Sequence, residues 1–219
     1  MGVLAALGGE LGSLRERAGA PKRVAGARLS VCELPGGTRL LLCTSGVGKV
    51  RAAAGAAALI GAGATRGILV VGLAGGLRRG MAPGDIVHCQ TAVQADSAIA
   101  DDRSFEADRG LSDAWREAAP GQFGWFLTAD RPVLTPWRRA RLARAFMGPC
   151  VADMETAAVA AVAHRAGVPW AAMRVVSDLA GFGAARTFRK QFPRLAGRAA
   201  DTVATWVPAH FHPRPPSKP

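Results

Sequence analysis

Two acidic turns separated by one apolar helix constrain this chain more than any other feature. Val151-Ala152-Asp153-Met154-Glu155 runs into Thr156-Ala157-Ala158-Val159, and Arg174-Val175-Val176-Ser177-Asp178 again ends an apolar run on an acid. The apolar run from Ala157 to Ala163 and the break at Gly167-Val168-Pro169 leave room for about three helical turns between two buried strands. This pattern predicts a βαβ unit. Parallel strands joined by a crossover helix bring their carboxyl ends to one edge of the sheet, so Glu155 and Asp178 are expected side by side in a ligand-binding crevice.

With 219 residues, 49% of them hydrophobic, the chain can bury a substantial core and fits one domain. Residues 1–207 are expected to form that domain, with 208–219 as a disordered Pro-rich tail carrying His210 and His212. No apolar run is as long as a membrane span; Gly2 to Leu7 is short, lacks a basic flank and runs into Glu10. A soluble, cytoplasmic protein is expected. Cys32, Cys43, Cys89 and Cys150 lie far apart, with no CxxC pair and no histidine cluster nearby, which predicts reduced core thiols and no metal site.

The formal charge of +12 raises nucleic acid as a partner, because counterion release rewards clustered cations. Twenty-four of the 28 basic residues are arginine, spread along an Ala- and Gly-heavy chain without tyrosine. That distribution resembles a general residue bias more than a patch, so no nucleic-acid partner is expected. The densest run, Arg138, Arg139, Arg141 and Arg144 beside Leu142 and Phe146, suits the solvated face of an amphipathic helix. The field as a whole would steer anionic ligands.

In chain order, Val3 to Leu7 predicts a buried strand that turns at Gly8-Gly9-Glu10 into a helix through Leu11, Leu14 and Arg17; an acid there suits the helix macrodipole. Ala27 to Leu34 and Thr38 to Thr44 predict a hairpin around Pro35-Gly36-Gly37. Ser45-Gly46-Val47-Gly48-Lys49 opens an Ala-rich helix to about Gly61 but lacks the residues of a phosphate loop or a dinucleotide fingerprint. Strands follow at Thr65 to Leu73, Ile86 to Val93 and Phe123 to Thr128. Gly72-Leu73-Ala74-Gly75-Gly76 at the end of the first would let a ligand approach the backbone, or serve as a plain tight turn. Residues 97–110 are polar and predict a mobile loop. Thr135-Pro136 starts the arginine-faced helix, and one last helix is expected from about Arg186 to Trp206.

Taken together and in order, several stretches resemble the purine nucleoside phosphorylase/nucleosidase family, which includes the bacterial 5′-methylthioadenosine/S-adenosylhomocysteine nucleosidases. They are Ala5-Ala6-Leu7 through Glu10, Ser45 to Lys49 with Ala52 and Ala53, Gly72 to Gly76, Gly84-Asp85-Ile86-Val87, Asp153 to Ala158 and Arg174 to Asp178. Thr128 to Val133 leading to Asp153-Met154-Glu155 also resembles the hopanoid-associated phosphorylase branch, whose substrate is an adenosylated lipid. The resemblance implies a single-domain α/β fold with a mixed, mostly parallel sheet flanked by helices, a nucleoside substrate, no cofactor and a homodimer with residues 97–110 near the partner's cleft, where Phe105 would cap a ligand. It also implies roles. Met154 and Glu155 would hold the ribose, Asp178 would protonate the purine at N7, and Glu10 would activate water. Ala74, Gly75, Gly76, Ser177 and Val133 would line the pocket.

The chemistry agrees with those roles. Breaking an N-ribosidic bond builds positive charge on the sugar and negative charge on the base, so it needs an anionic lining and an acid kept protonated by a dry site. Two departures from the family bear on the base site: Leu73 stands where the nucleosidases carry serine, and Pro132 where a ring stacks on the base, leaving Trp125 or Phe126 as candidate rings. Hydrolysis is the leading expectation. Phosphorolysis, with inorganic phosphate as co-substrate near Arg51, Arg78 or Arg174, remains open, as does a non-catalytic nucleoside-binding module.

Overall fold

The computed structural model describes residues 1–98 and 103–211. Ten strands form one mixed sheet. The edge portion comprises β1 (Gly2–Ala5), β2 (Lys22–Val24), β3 (Ala27–Leu34) and β4 (Thr38–Thr44). β5 (Ile68–Gly76), β6 (Ile86–Gln94), β8 (Gln122–Thr128), β9 (Cys150–Asp153) and β10 (Trp170–Asp178) supply the rest, with β7 (Ser104–Glu106) paired on β6. Because β10 pairs with both β5 and β6, the order β5-β10-β6-β8-β9 returns to β5 and closes a five-stranded barrel, from which β1-β4-β3-β2 extends. The parallel runs β4-β1-β5-β10 and β6-β8-β9 meet through antiparallel pairs.

The barrel closure corrects the expected βαβ unit. β9 runs antiparallel to β5 whereas β10 runs parallel to it, so the two strands that end in acids point in opposing directions. Hydrophobic pattern reports burial but not strand direction, and a short helix can return the chain either way. The two acids nevertheless converge, since Gly75 of β5 is flanked by Ala152 on one edge and by Asp178 on the other.

β5 and β10 are almost wholly buried because helices cover both faces of the sheet, which is why they are continuous apolar runs. On one face, α2 (Lys49–Gly61) and α5 (Thr156–Arg165) pack closely through Ala52, Ala56, Ala157 and Ala160. On the other, α1 (Gly12–Glu16), α3 (Arg109–Ala118) and α7 (Arg198–His210) bury Leu14, Trp115 and Trp206. The two indoles stack with centroids 5.7 Å apart, and Trp115 Nε1 donates to Thr202 Oγ1 at 2.8 Å. Cys32, Cys43, Cys89 and Cys150 are buried free thiols. Among the described residues no helix is long and apolar enough to cross a membrane.

Several expectations about helices and loops change. The final helix is two helices, α6 (Ala184–Leu195) and α7, separated at Ala196-Gly197. Gly197 lies so close to Gly12 that a Cβ on it would stand 2.8 Å from the Gly12 Cα, and Asp201 accepts from the Ser13 N–H at 2.8 Å, so α7 is turned onto α1. Pro208 to His210 belong to α7 rather than to a tail; residues 212–219 of the expected tail lie outside the described residues. The segment 97–110 contains β7 and the start of α3, capped where Asp108 Oδ1 accepts from the Leu111 N–H. Phe105 is buried in the core beside His164, so it does not cap a partner's ligand. Residues 99–102 of that loop lie outside the described residues.

Candidate active site

A cavity of about 340 Å³ opens at the converging strand ends. Glu10, Glu155 and Asp178 line it, together with Met154, Ala74, Gly75, Ser177 and Val133. Gly76 does not. The pleat turns it away, and a Cβ there would press on Val176, Met81 and Leu179 instead.

Glu10 sits in the 3-10 turn Gly8–Leu11 that follows β1. Its Oε2 accepts from the Leu7 N–H at 2.8 Å and its Oε1 from the Leu73 N–H at 3.0 Å. Burial pushes its carboxyl above the usual range, outweighing the nearby Arg174 guanidinium and the backbone donors. The space it occupies depends on Gly72. That residue has φ 148°, and a Cβ there would lie 2.3 Å from Arg174 Nη1 and 2.6 Å from Glu10 Oε1. The glycine therefore makes room for protein side chains, whereas the sequence suggested ligand access or a plain turn.

Glu155 precedes the first turn of α5. Its Oε1 accepts from the Gly48 N–H at 3.0 Å, so the glycine loop that superficially suggests a phosphate site instead holds a carboxylate. Its Oε2 lies 3.4 Å from Arg174 Nη2. Burial, supported by Asp153 and Glu10, pushes the Glu155 carboxyl up to about 7 against the pull of Arg174. Lys49 of the same loop is engaged elsewhere, with Asp96 at 2.7 Å and Asp130 at 3.4 Å.

Arg174, fully buried on β10, ties the site together. It donates to Asp153 Oδ2 from Nε at 3.1 Å and from Nη2 at 2.9 Å, to Thr156 Oγ1 at 3.0 Å and to the Val71 carbonyl at 3.1 Å. Asp153 also accepts from Thr128 Oγ1 at 2.5 Å and from Thr156 Oγ1 in a very short contact. Three carboxylates thus surround one guanidinium, leaving the region anionic, and that surplus raises the Arg174 pKa in spite of its burial.

Asp178 ends β10. Its Oδ1 accepts from the Ala180 N–H at 2.9 Å, and Ser177 Oγ lies 2.7 Å from its Oδ2. Burial raises its pKa, opposed by those two hydrogen bonds. The carboxyl stands beside Gly75 at the end of β5.

Of the cations proposed for phosphate, Arg174 is bound to carboxylates, Arg78 donates to the Ala143 carbonyl at 2.9 Å, and neither Arg78 nor Arg51 lines the cavity. Neither candidate ring reaches the cavity: Phe126 is core, and Trp125 packs on Phe146. Phe188 of α6 does line it, with Leu7, Val47 and Leu73. In the sequence Phe188 is one apolar position of an amphipathic helix and carries no mark of a pocket residue. Arg131, in the stretch Thr128 to Val133, also lines the cavity.

Residues 1–207 match the model of the Phosphorylase superfamily. A 5′-methylthioadenosine/S-adenosylhomocysteine nucleosidase of Halalkalibacterium halodurans is 30% identical over 200 residues, 82% of this chain and 86% of that protein. The crystal structure of the Neisseria meningitidis 5′-methylthioadenosine/S-adenosylhomocysteine nucleosidase with methylthio-immucillin-A aligns with TM-score 0.87 and 28% identity over 95% of this chain and 98% of that one. The S-adenosylhomocysteine nucleosidase of Streptococcus pyogenes with 5-methylthiotubericidin gives TM-score 0.87 and 26% identity over 95% and 96%. Both the fold and the sequence match therefore place this chain in the phosphorylase superfamily.

Proposed function

We propose that this protein is a nucleosidase that hydrolyses the N-ribosidic bond of a 5′-substituted adenosine. The observation that carries the reading is that Glu10, Glu155 and Asp178 share one cavity while the buried guanidinium beneath them, Arg174, is already committed to carboxylates. Asp178, protonated, gives its proton to N7 of the purine as the C1′–N9 bond breaks and the bonding pair leaves with the base. Glu155 accepts hydrogen bonds from the ribose hydroxyls, and its charge, with that of Glu10, favours the oxocarbenium-like sugar. Glu10 takes a proton from the water whose oxygen bonds to C1′. Met154 and Val133 pack on the sugar and the base, with Ala74, Gly75 and Ser177 along the base side. No metal or cofactor is needed for any of these steps.

Phosphate, already an anion, would need cationic partners on the sugar face, and Arg174 is spent on its own carboxylates. The relatives named as nucleosidases, and the neighbours solved with methylthio-immucillin-A and 5-methylthiotubericidin, support a 5′-methylthio or related substrate. Incubating the protein with 5′-methylthioadenosine, S-adenosylhomocysteine, adenosine and inosine in phosphate-free buffer tests this. Adenine release from the 5′-substituted substrates is expected; turnover of inosine alone would contradict it.

The reading includes a homodimer. Val47 lines the cavity yet is 41% exposed, and Val50 beside it is 84% exposed, an apolar edge that a second subunit would cover. Light scattering at micromolar concentration should give twice the monomer mass. Four free thiols suit a reducing compartment such as the cytoplasm.

A further inference from the structure

Residues 131–149 and 179–200 contain no acidic residue and ten basic ones: Arg131, Arg138, Arg139, Arg141 and Arg144 in the first, Arg186, Arg189, Lys190, Arg194 and Arg198 in the second. The structure brings these segments together. α4 (Pro136–Ala143) lies in the first and α6 in the second, and the loop before α6 is fastened to α4 where Arg139 Nη1 donates to the Leu179 carbonyl at 3.0 Å. Among the described residues none of the ten forms an ion pair. Arg194 and Arg198 line a separate groove with Glu16 and Asp201, whereas the α4 arginines stand beside the loop that leads into α6.

Large apolar side chains stand within this basic region. Trp137 is 65% exposed and Phe182 73%, and their rings meet edge to face at 5.3 Å. Leu134 and Leu179 beside them are also exposed. Leu134 and, from α6, Ala184, Ala185 and Phe188 line the cavity, so the patch borders its entrance.

We propose that this face docks on an anionic lipid surface, with Trp137 and Phe182 entering the headgroup layer and the α4 and α6 cations meeting lipid phosphates. Exposed aromatic and leucine side chains ringed by arginine are what an interfacial anchor requires. A second copy of this chain is a poor occupant, since a two-fold contact would set arginine against arginine. A nucleic acid would engage the cations and a ring face, but it would leave Leu134 and Leu179 without an apolar partner. The inference rests on charge and exposure and is independent of which nucleoside is cleaved.

Co-sedimentation of the full chain with sucrose-loaded vesicles tests it, using phosphatidylglycerol mixed with phosphatidylcholine against phosphatidylcholine alone. Binding to the anionic vesicles only, weakening as salt rises, is expected. Arg141→Glu with Arg144→Glu should weaken it more than tenfold, at about fivefold for each basic residue near the surface. Trp137→Ser with Phe182→Ser should weaken it at least as much at low salt. Each double variant should keep wild-type cleavage of a soluble nucleoside, which shows that the fold is intact. Equal binding to neutral vesicles, no binding, an unaffected aromatic variant, or tighter binding of a single-stranded oligonucleotide that strips the protein from vesicles would each overturn the proposal.

Discussion

Ser177 Oγ lies 2.7 Å from Asp178 Oδ2 and 3.2 Å from the Ala74 carbonyl, and one hydroxyl proton cannot serve both acceptors. If Asp178 is protonated, it donates to Ser177 and Ser177 donates to Ala74, satisfying every group. If Asp178 is ionised, the serine proton turns to it and away from the carbonyl. The serine proton therefore follows the charge of Asp178, and burial rather than the serine is what raises the carboxyl pKa. Replacing Asp178 by Asn should lower turnover roughly 10²-fold or more with the fold unchanged, since general acid catalysis is worth about that much. Wild-type turnover by the variant would remove Asp178 from the mechanism.

Ser177→Ala tests the same pair by pH. The serine hydrogen bond favours the charged form of Asp178, so removing it should raise the aspartate pKa further. The alkaline limb of kcat/KM should then move to higher pH. A shift to lower pH, or none, would show that Ser177 does not control the acid.

Gly72 is predicted to be intolerant for a reason internal to the protein. Gly72→Ala would force a methyl group against Arg174 and Glu10 and should cost roughly 2–4 kcal/mol in urea unfolding, with loss of activity. Gly36, at φ 78° with nothing near the place of a Cβ, is the control: Gly36→Ala should cost about 1 kcal/mol and leave turnover intact. Equal effects at both positions would contradict the packing argument.

Glu155 links stability to pH. Its carboxyl titrates at about 7 in the folded protein against an ordinary 4.5, so the native state holds the proton more tightly than the unfolded chain. Stability from this group is therefore greatest below about pH 4.5, declines as pH rises to about 7 and is flat above. Glu155→Gln cannot ionise, so it should exceed the wild type by up to about 3 kcal/mol at pH 8 and match it at pH 4.5. Denaturant melts at the two pH values measure this, and a larger gain at the acid end would reverse the assignment.

Much of the site was legible in the sequence because acids at strand ends are conspicuous: Glu10, Glu155 and Asp178 each terminate an apolar run, and the structure brings all three to one cavity. Strand direction was not legible, because the runs ending at Asp153 and Asp178 read alike whether parallel or opposed. The purpose of Gly72 was hidden for a similar reason, since its neighbours Glu10 and Arg174 are remote in sequence. The break at Gly197 depends on Gly12, also far away, and nothing local distinguishes it from a tolerated helical glycine. Phe188 and the basic face failed on the same ground: their meaning comes from which segments the fold places side by side.

The proposed hydrolysis depends on water as the acceptor and on Glu10 to activate it. The most direct measurement incubates wild type and Glu10→Gln with 5′-methylthioadenosine, with and without inorganic phosphate, and separates free 5-methylthioribose from its 1-phosphate. Free sugar is expected from the wild type at the same rate in both buffers, with loss of most of that activity in Glu10→Gln and adenine binding retained. Sugar 1-phosphate formed only when phosphate is added, at a rate Glu10→Gln does not change, would contradict it and return Glu10 to the role of an acid at a helix start.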